Sequence, residues 1–174
     1  PLILNLNTLS NFSKLEFNLN KAIDSYVVNY KKYFKKNKYL VKNSATSLKI
    51  NISWQHYYPA CSTSPWQLDG VIRTLKNDGH QDLIPLHNGT VVVDSREGEI
   101  NNKHKPVLDK WGLQSVHLDV PPNQWVRYEP KGELLVLDKV YPEGITIPES
   151  FPGKNIIHLP TMKTHVFTTI TGAM

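Results

Sequence analysis

The sequence predicts an α/β fold: a mostly parallel sheet with flanking helices and room for one local antiparallel hairpin. Three observations carry this. Short apolar runs with strand character alternate along the chain with helical segments, the pattern of stacked βαβ units. One helix between two such runs carries both its start and its stop signals. A compact apolar run near the end, Lys154-Asn-Ile-Ile-His-Leu159, lies between Gly153 and Pro160, as a buried parallel strand would.

In chain order, the first 49 residues contain no glycine, and Pro1 is their only proline. Within them Leu19, Ile23, Tyr26, Val27, Tyr30, Tyr33 and Phe34 recur at spacings of three and four, so an amphipathic helix is expected from about Asn20 to Asn37. Lys31, Lys32, Lys35 and Lys36 crowd its last turns, where cations complement the helix dipole. Residues 1–45 are therefore read as a basic helical segment and 46–174 as the α/β domain. In Ser47–Trp54 the residues Leu48, Ile50, Ile52 and Trp54 alternate with polar ones, which predicts a strand. A loop follows from Gln55 to Thr63. Ser64 then caps a helix, Pro65 suits its first position and Gln67 completes a capping box. Leu68, Val71, Ile72 and Leu75 form its apolar face, and Gly79 ends it in the left-handed region.

Leu83–Leu86 and Thr90–Asp94 read as short strands around a His87-Asn-Gly89 turn. A short helix is expected over Asn101–Trp111, kinked or delayed to Lys105 by Pro106 and stopped at Gly112. Leu113–Leu118 and Leu134–Leu137 are further strand expectations. Val126–Tyr128 with Leu134–Leu137 is the place for the antiparallel hairpin.

Composition bounds the function. A chain of 174 residues that is 40% apolar and 20% charged can bury a core of roughly twenty to thirty side chains, which excludes a disordered or fibrous protein. No apolar run approaches the ~20 residues needed to span a bilayer. Cys61, the single cysteine, excludes an internal disulfide and any site needing four cysteines of this sequence. No charged flank leads into an apolar signal core, so a cytoplasmic location is the expectation. The net charge of +5 is concentrated: residues 1–49 carry nine lysines against Glu16 and Asp24. Such a patch can meet polyanions, but no nucleic-acid motif accompanies it, and a solvated helix face accounts for it.

The residues richest in chemistry lie in Leu159-Pro-Thr-Met-Lys-Thr-His-Val-Phe-Thr-Thr-Ile-Thr171. Ligands of open α/β sheets bind beyond the carboxyl ends of strands. A loop there with Lys163 and the hydroxyls of Thr161, Thr164 and Thr168 forms an anion cradle. His165 there serves as a metal ligand or proton carrier. His56, after the first strand, is a second metal ligand, while Asn51 and Asp94 are further ligand contacts from neighbouring strand ends. His158 reads as a core histidine, and His80, His87, His104 and His117 are scattered without a metal-binding spacing. Glycine-rich phosphate loops and nucleophile elbows are absent; if the domain is an enzyme, with Lys163 and His165 as its catalytic residues, a metal-assisted or redox-coupled reaction fits this inventory better than covalent catalysis.

The run Lys154-Asn-Ile-Ile-His-Leu-Pro-Thr-Met-Lys-Thr-His165, leading into Thr168-Thr-Ile-Thr-Gly-Ala-Met174, resembles the signature of the domain-of-unknown-function 362 family. Lys49–Trp54 is similar to the family's early strand, and Ser62–Trp66 through Leu75–Gly79 to its first crossover helix. The resemblance covers roughly 46–174 and strengthens Lys163 and His165 as site residues. It implies a threonine-rich helix start after His165 and a pattern that continues past Met174. Many relatives carry a cysteine module for iron–sulfur clusters, whose cysteines are absent here. The expected partner is thus a small anion or a metal. The competing expectation is a non-catalytic binding or assembly module acting through the basic N-terminal helix.

Overall fold

The computed structural model describes Lys21, Asp24 and residues 40–121, 123–166 and 169–171. The helix expected over Asn20–Asn37 and the four lysines of its last turns lie outside the described residues, apart from Lys21 and Asp24, which are helical.

The elements are β1 (Thr46–Ile50), α1 (Pro65–Asn77), β2 (Leu83–His87), α2 (Ser95–Asn101), α3 (His104–Lys110), β3 (Val116–His117), β4 (Trp125–Tyr128), α4 (Leu137–Val140), β5 (Ile145–Pro148), β6 (Asn155–Leu159), β7 (Lys163–His165) and β8 (Thr169–Thr171). Four of them form a parallel sheet in the order β3-β2-β1-β6. Two antiparallel ribbons, β4–β5 and β7–β8, stand beside it. The α/β architecture with its parallel sheet, flanking helices and local hairpins is as the sequence predicts.

The core gathers on one face of this sheet. Leu48 and Ile50 of β1, Leu83 of β2, and Ile157 and Leu159 of β6 meet Leu68, Val71, Ile72 and Leu75 of α1 and Leu108 of α3. α1 forms where its local signals place it. Ser64 Oγ accepts the Gln67 amide at 3.3 Å, and Gly79 turns the chain at φ +94. Asp69, buried on α1, accepts Lys110 Nζ at 2.9 Å and Trp111 Nε1 at 2.6 Å, so one carboxylate fastens α1 to the end of α3. Asn155 does comparable work at the sheet's other end. Its amide bridges Val41 N (2.9 Å), Val41 O (2.8 Å) and Thr46 Oγ1 (3.1 Å), tying the entering chain to β6.

Several boundaries differ from expectation. β1 stops at Ile50 because the next residue leaves the ladder: Asn51 N donates to Thr63 Oγ1 and Thr63 N to Asn51 O, each at 2.9 Å. Thr90–Asp94 is not a strand. A single bridge, Thr90 to Val93, closes it as a turn, leaving Val91 and Val92 exposed. The helix expected over Asn101–Trp111 takes the delayed start, at His104, and Asn101 instead ends a separate helix, α2, from which Lys103 at φ +63 parts it. Pro106 falls in the first turn of α3, where its missing N–H is no loss, so it causes no kink. Gly112 ends α3 at φ +64, as read. Leu113–Leu118 contributes only Val116 and His117 to the sheet. Leu134–Leu137 is a turn leading into α4, and β4 pairs with β5, Trp125 opposite Pro148 and Tyr128 opposite Ile145. His158 points to the exposed side of β6, alternating with buried Ile157 and Leu159.

Candidate functional site

The strand order creates the site. β1 has β2 on one side and β6 on the other, so the chains leaving the carboxyl ends of β1 and β6 part at a switch in strand order, the place where open α/β sheets bind ligands. Thr63, 1% exposed, ties the two strand ends together. Its Oγ1 donates to Leu159 O at the end of β6 while accepting Asn51 N at the end of β1. His104 Nε2 donates to Thr63 O at 2.6 Å, which fixes the proton on Nε2 and leaves Nδ1 bare.

Beyond Pro160 the chain forms the β7–β8 ribbon, with Lys163 opposite Thr171 and His165 opposite Thr169. The loop expected here is a hairpin, and the threonines expected to start a helix pair as β8 instead. A ribbon alternates its side chains, so Lys163 and His165 share one side and Thr164 the other. Lys163 Nζ, from the segment that follows β6, donates to Ser53 Oγ, just past the end of β1, at 2.7 Å. Ser53 Oγ in turn donates to Asn51 Oδ1 at 3.3 Å, and Ser62 Oγ accepts the Ser53 amide at 3.1 Å. Asn51 Nδ2 is buried and has no hydrogen-bond partner. Residues from two strand ends 110 positions apart thus meet in one polar chain, with an ammonium at one end and an unsatisfied amide donor at the other.

The remaining expected residues are distributed as follows. Thr161 is half-buried at the start of the segment; Thr164 and His165 are exposed on β7. Thr168 lies outside the described residues. His56 is exposed, its ring edge-on to Trp54 with centroids 5.9 Å apart. Asp94 caps α2, its Oδ1 accepting Arg96 N at 2.9 Å and Glu97 N at 3.0 Å. It lines a different, open depression of about 430 Å³ with Gln55, Thr90–Arg96 and Asp119. There the Gly89 amide, 2.9 Å from Asp119 Oδ1, holds that carboxyl below its ordinary range.

The sequence reading passed over His87, Glu99 and His117. His87 and His117 are register partners at the carboxyl ends of β2 and β3, and Glu99 reaches them from α2. Their donor atoms all lie within 4.8 Å of one another. Among the described residues this is the group of three or more metal-type side chains so gathered, and neither His56 nor His165 belongs to it.

A four-stranded parallel sheet with flanking helices and two antiparallel ribbons beside it defines an α/β domain of the open-sheet class. More particularly, residues 47–174 match the family model for DUF362, a domain of unknown function, and the chain belongs to that family. No curated protein and no solved structure matches it. An iron–sulfur cluster held by four cysteines does not fit these 174 residues, whose one cysteine, Cys61, is half-buried and unpaired. Among the described residues no helix is long and apolar enough to cross a membrane.

Proposed function

We propose that this domain binds a small anion in a crevice between the carboxyl ends of β1 and β6. Lys163 supplies the positive charge, Asn51 Nδ2 a directed hydrogen bond, and the hydroxyl of Thr161 a further donor at the rim. His165, on the same side of the ribbon as Lys163, stands where it can exchange a proton with the bound group or ligate a metal that accompanies it. One observation carries the reading: a buried amide donor without a partner lies in the same polar chain as the Lys163 ammonium. An unsatisfied buried donor costs about 1–3 kcal/mol, a cost a ligand acceptor would remove. The unpaired Cys61 fits a reducing compartment, and we read the domain as cytoplasmic.

The probe is inorganic phosphate, titrated against the full chain while thermal unfolding is followed, with chloride at matched ionic strength as control. Phosphate at ~100 times its dissociation constant adds about 2.7 kcal/mol to stability. The expected result is a saturable rise in Tm for the natural protein that is lost in Lys163→Met. Equal rises in both proteins would end this proposal.

A further inference from the structure

At the other side of the same sheet edge, His87, Glu99 and His117 form a cluster that the anion crevice does not use. His87 is fully buried and Glu99 is 6% exposed, while His117 is half-buried. His87 Nε2 lies 2.7 Å from Glu99 Oε2, and the two imidazole rings meet edge to face with centroids 4.4 Å apart. Ser115 Oγ also donates to Glu99 Oε2. Nδ1 of both His87 and His117 is buried with no hydrogen-bond partner. Two imidazoles with orphaned nitrogens packed around one carboxylate exceed what a structural hydrogen bond requires. A His–Glu pair alone would hold α2 on β2; the second histidine adds a half-buried ring whose buried Nδ1 gains no bond.

We infer that His87, Glu99 and His117 form a binding site for a divalent transition-metal ion of the zinc or ferrous type. Two imidazoles and a carboxylate are a donor set such ions take, with metal–ligand distances of about 2.0–2.2 Å. Tetrahedral geometry at those lengths places donor atoms about 3.3 Å apart. The donors here span from 2.7 Å to at most 4.8 Å, so side-chain rotations of roughly 1 Å bring them onto an ion without moving the strands. Ser115 Oγ orients Glu99 through the same oxygen that meets His87, the role outer partners play in metal sites. Burial alone would raise the Glu99 carboxyl, but the hydrogen bonds from His87 and Ser115 outweigh it and hold it below its ordinary range, in the ligating form. Burial first, and then the His87 charge, keeps His117 below its ordinary value and so neutral. Metal entry at His87 Nε2 displaces the proton shared with Glu99, which ends through solvent on the unpartnered His87 Nδ1, so the ligating imidazole is neutral. The half-exposed side of His117 gives the ion its way in and leaves a coordination position for water or an oxygen ligand.

The experiment uses the full chain, stripped with a chelator and titrated with Co²⁺ alone, read by visible absorption and calorimetry. One Co²⁺ per chain is expected, with the visible bands of a low-coordinate ion, displaceable by Zn²⁺. Glu99→Gln and His117→Gln should each weaken binding at least about 100-fold, since each removes a direct ligand where even an outer partner is worth 10–100-fold. Circular dichroism and thermal melts establish that both variants are folded. His158→Ala, a histidine on the exposed side of β6, should bind as the natural protein does. Absence of Co²⁺ binding by the folded natural protein overturns the inference. So does unchanged binding in folded Glu99→Gln and His117→Gln, or loss in His165→Ala alone, which would place the metal at the β7–β8 ribbon. Phosphate binding by Lys163 is a separate readout, so the two proposals fail independently.

Discussion

Asn51 and Thr63 sit in one hydrogen-bonded knot, yet substituting them should have opposite consequences. Asn51→Ala removes a single long hydrogen bond, from Ser53 Oγ to Asn51 Oδ1, worth about 1 kcal/mol. It also removes the buried Nδ2 donor that has no partner, relieving about 1–3 kcal/mol. The two nearly cancel, so stability should stay within about 1 kcal/mol of the natural protein or rise slightly. Thr63→Val keeps the shape but strips a hydroxyl that serves Asn51 N and Leu159 O together. Two buried backbone groups lose their partner, which costs about 2–5 kcal/mol. At roughly 2–4 °C per kcal/mol for a chain of this size, a loss of about 3 kcal/mol lowers Tm by about 6–12 °C. Urea unfolding with a common m-value measures both. In phosphate titrations Asn51→Ala should bind at least about tenfold more weakly, the equivalent of 1.4 kcal/mol. A residue that costs stability and adds affinity is there for the ligand. If Asn51→Ala loses more than about 2 kcal/mol, its amide has a structural partner and the reasoning fails.

Two further perturbations follow from buried polar groups. Asp69→Ala should cost about 2–4 kcal/mol, mostly from the orphaned Trp111 N–H, because Lys110 and Arg73 are exposed enough for water to replace the carboxylate. Asp69→Asn should cost only about 1 kcal/mol, since an amide oxygen still accepts Trp111; equal losses in the two variants would count against that division. His104 gives a pH signature. Burial chiefly holds it below its ordinary 6.5 and the nearby His87 charge adds to this, while the bond to Thr63 O and the Glu99 charge oppose it. The folded state therefore refuses a proton that the unfolded chain accepts. Its contribution is present in full above pH 6.5 and is lost as pH falls from there towards the depressed folded value, at up to about 1.4 kcal/mol per pH unit. Urea midpoints at several pH values between 7.5 and 5 should fall less steeply for His104→Gln than for the natural protein, and parallel slopes would refute this.

What the sequence made legible was what neighbouring residues decide. The start, buried face and stop of α1 lie within Ser64–Gly79, so the helix could be read whole. β6 was equally plain between Gly153 and Pro160. Features set by distant partners were misread. β1 runs short because Thr63, twelve residues on, takes the Asn51 amide from the ladder. The triple valine at Val91–Val93 has strand propensity, but among the described residues no strand pairs with it and it closes on itself as a turn. Val126–Tyr128 was recognised as hairpin material, but a four-residue apolar run does not name its partner, and Ile145–Pro148 had the place assigned to Leu134–Leu137.

The same distinction separates the two candidate sites. Lys163 and His165 stood out because they are two residues apart on one segment among threonines, although their distance from Ser53 and Asn51 came only from the pairing of β1 with β6. His87, Glu99 and His117 are spaced by twelve and eighteen residues, with no local period to mark them. What joins them is parallel register: pairing Leu86 with Val116 puts His87 beside His117 on the same face of neighbouring strands. The crossover from β2 to β3 then lays α2 over that face. Gly98 lets it approach so closely that a Cβ there would collide with Ile52 Cγ2, which sets Glu99, the next residue, down onto the histidines. A cluster built by one register and one close helix approach is invisible to spacing, and finding it required the fold.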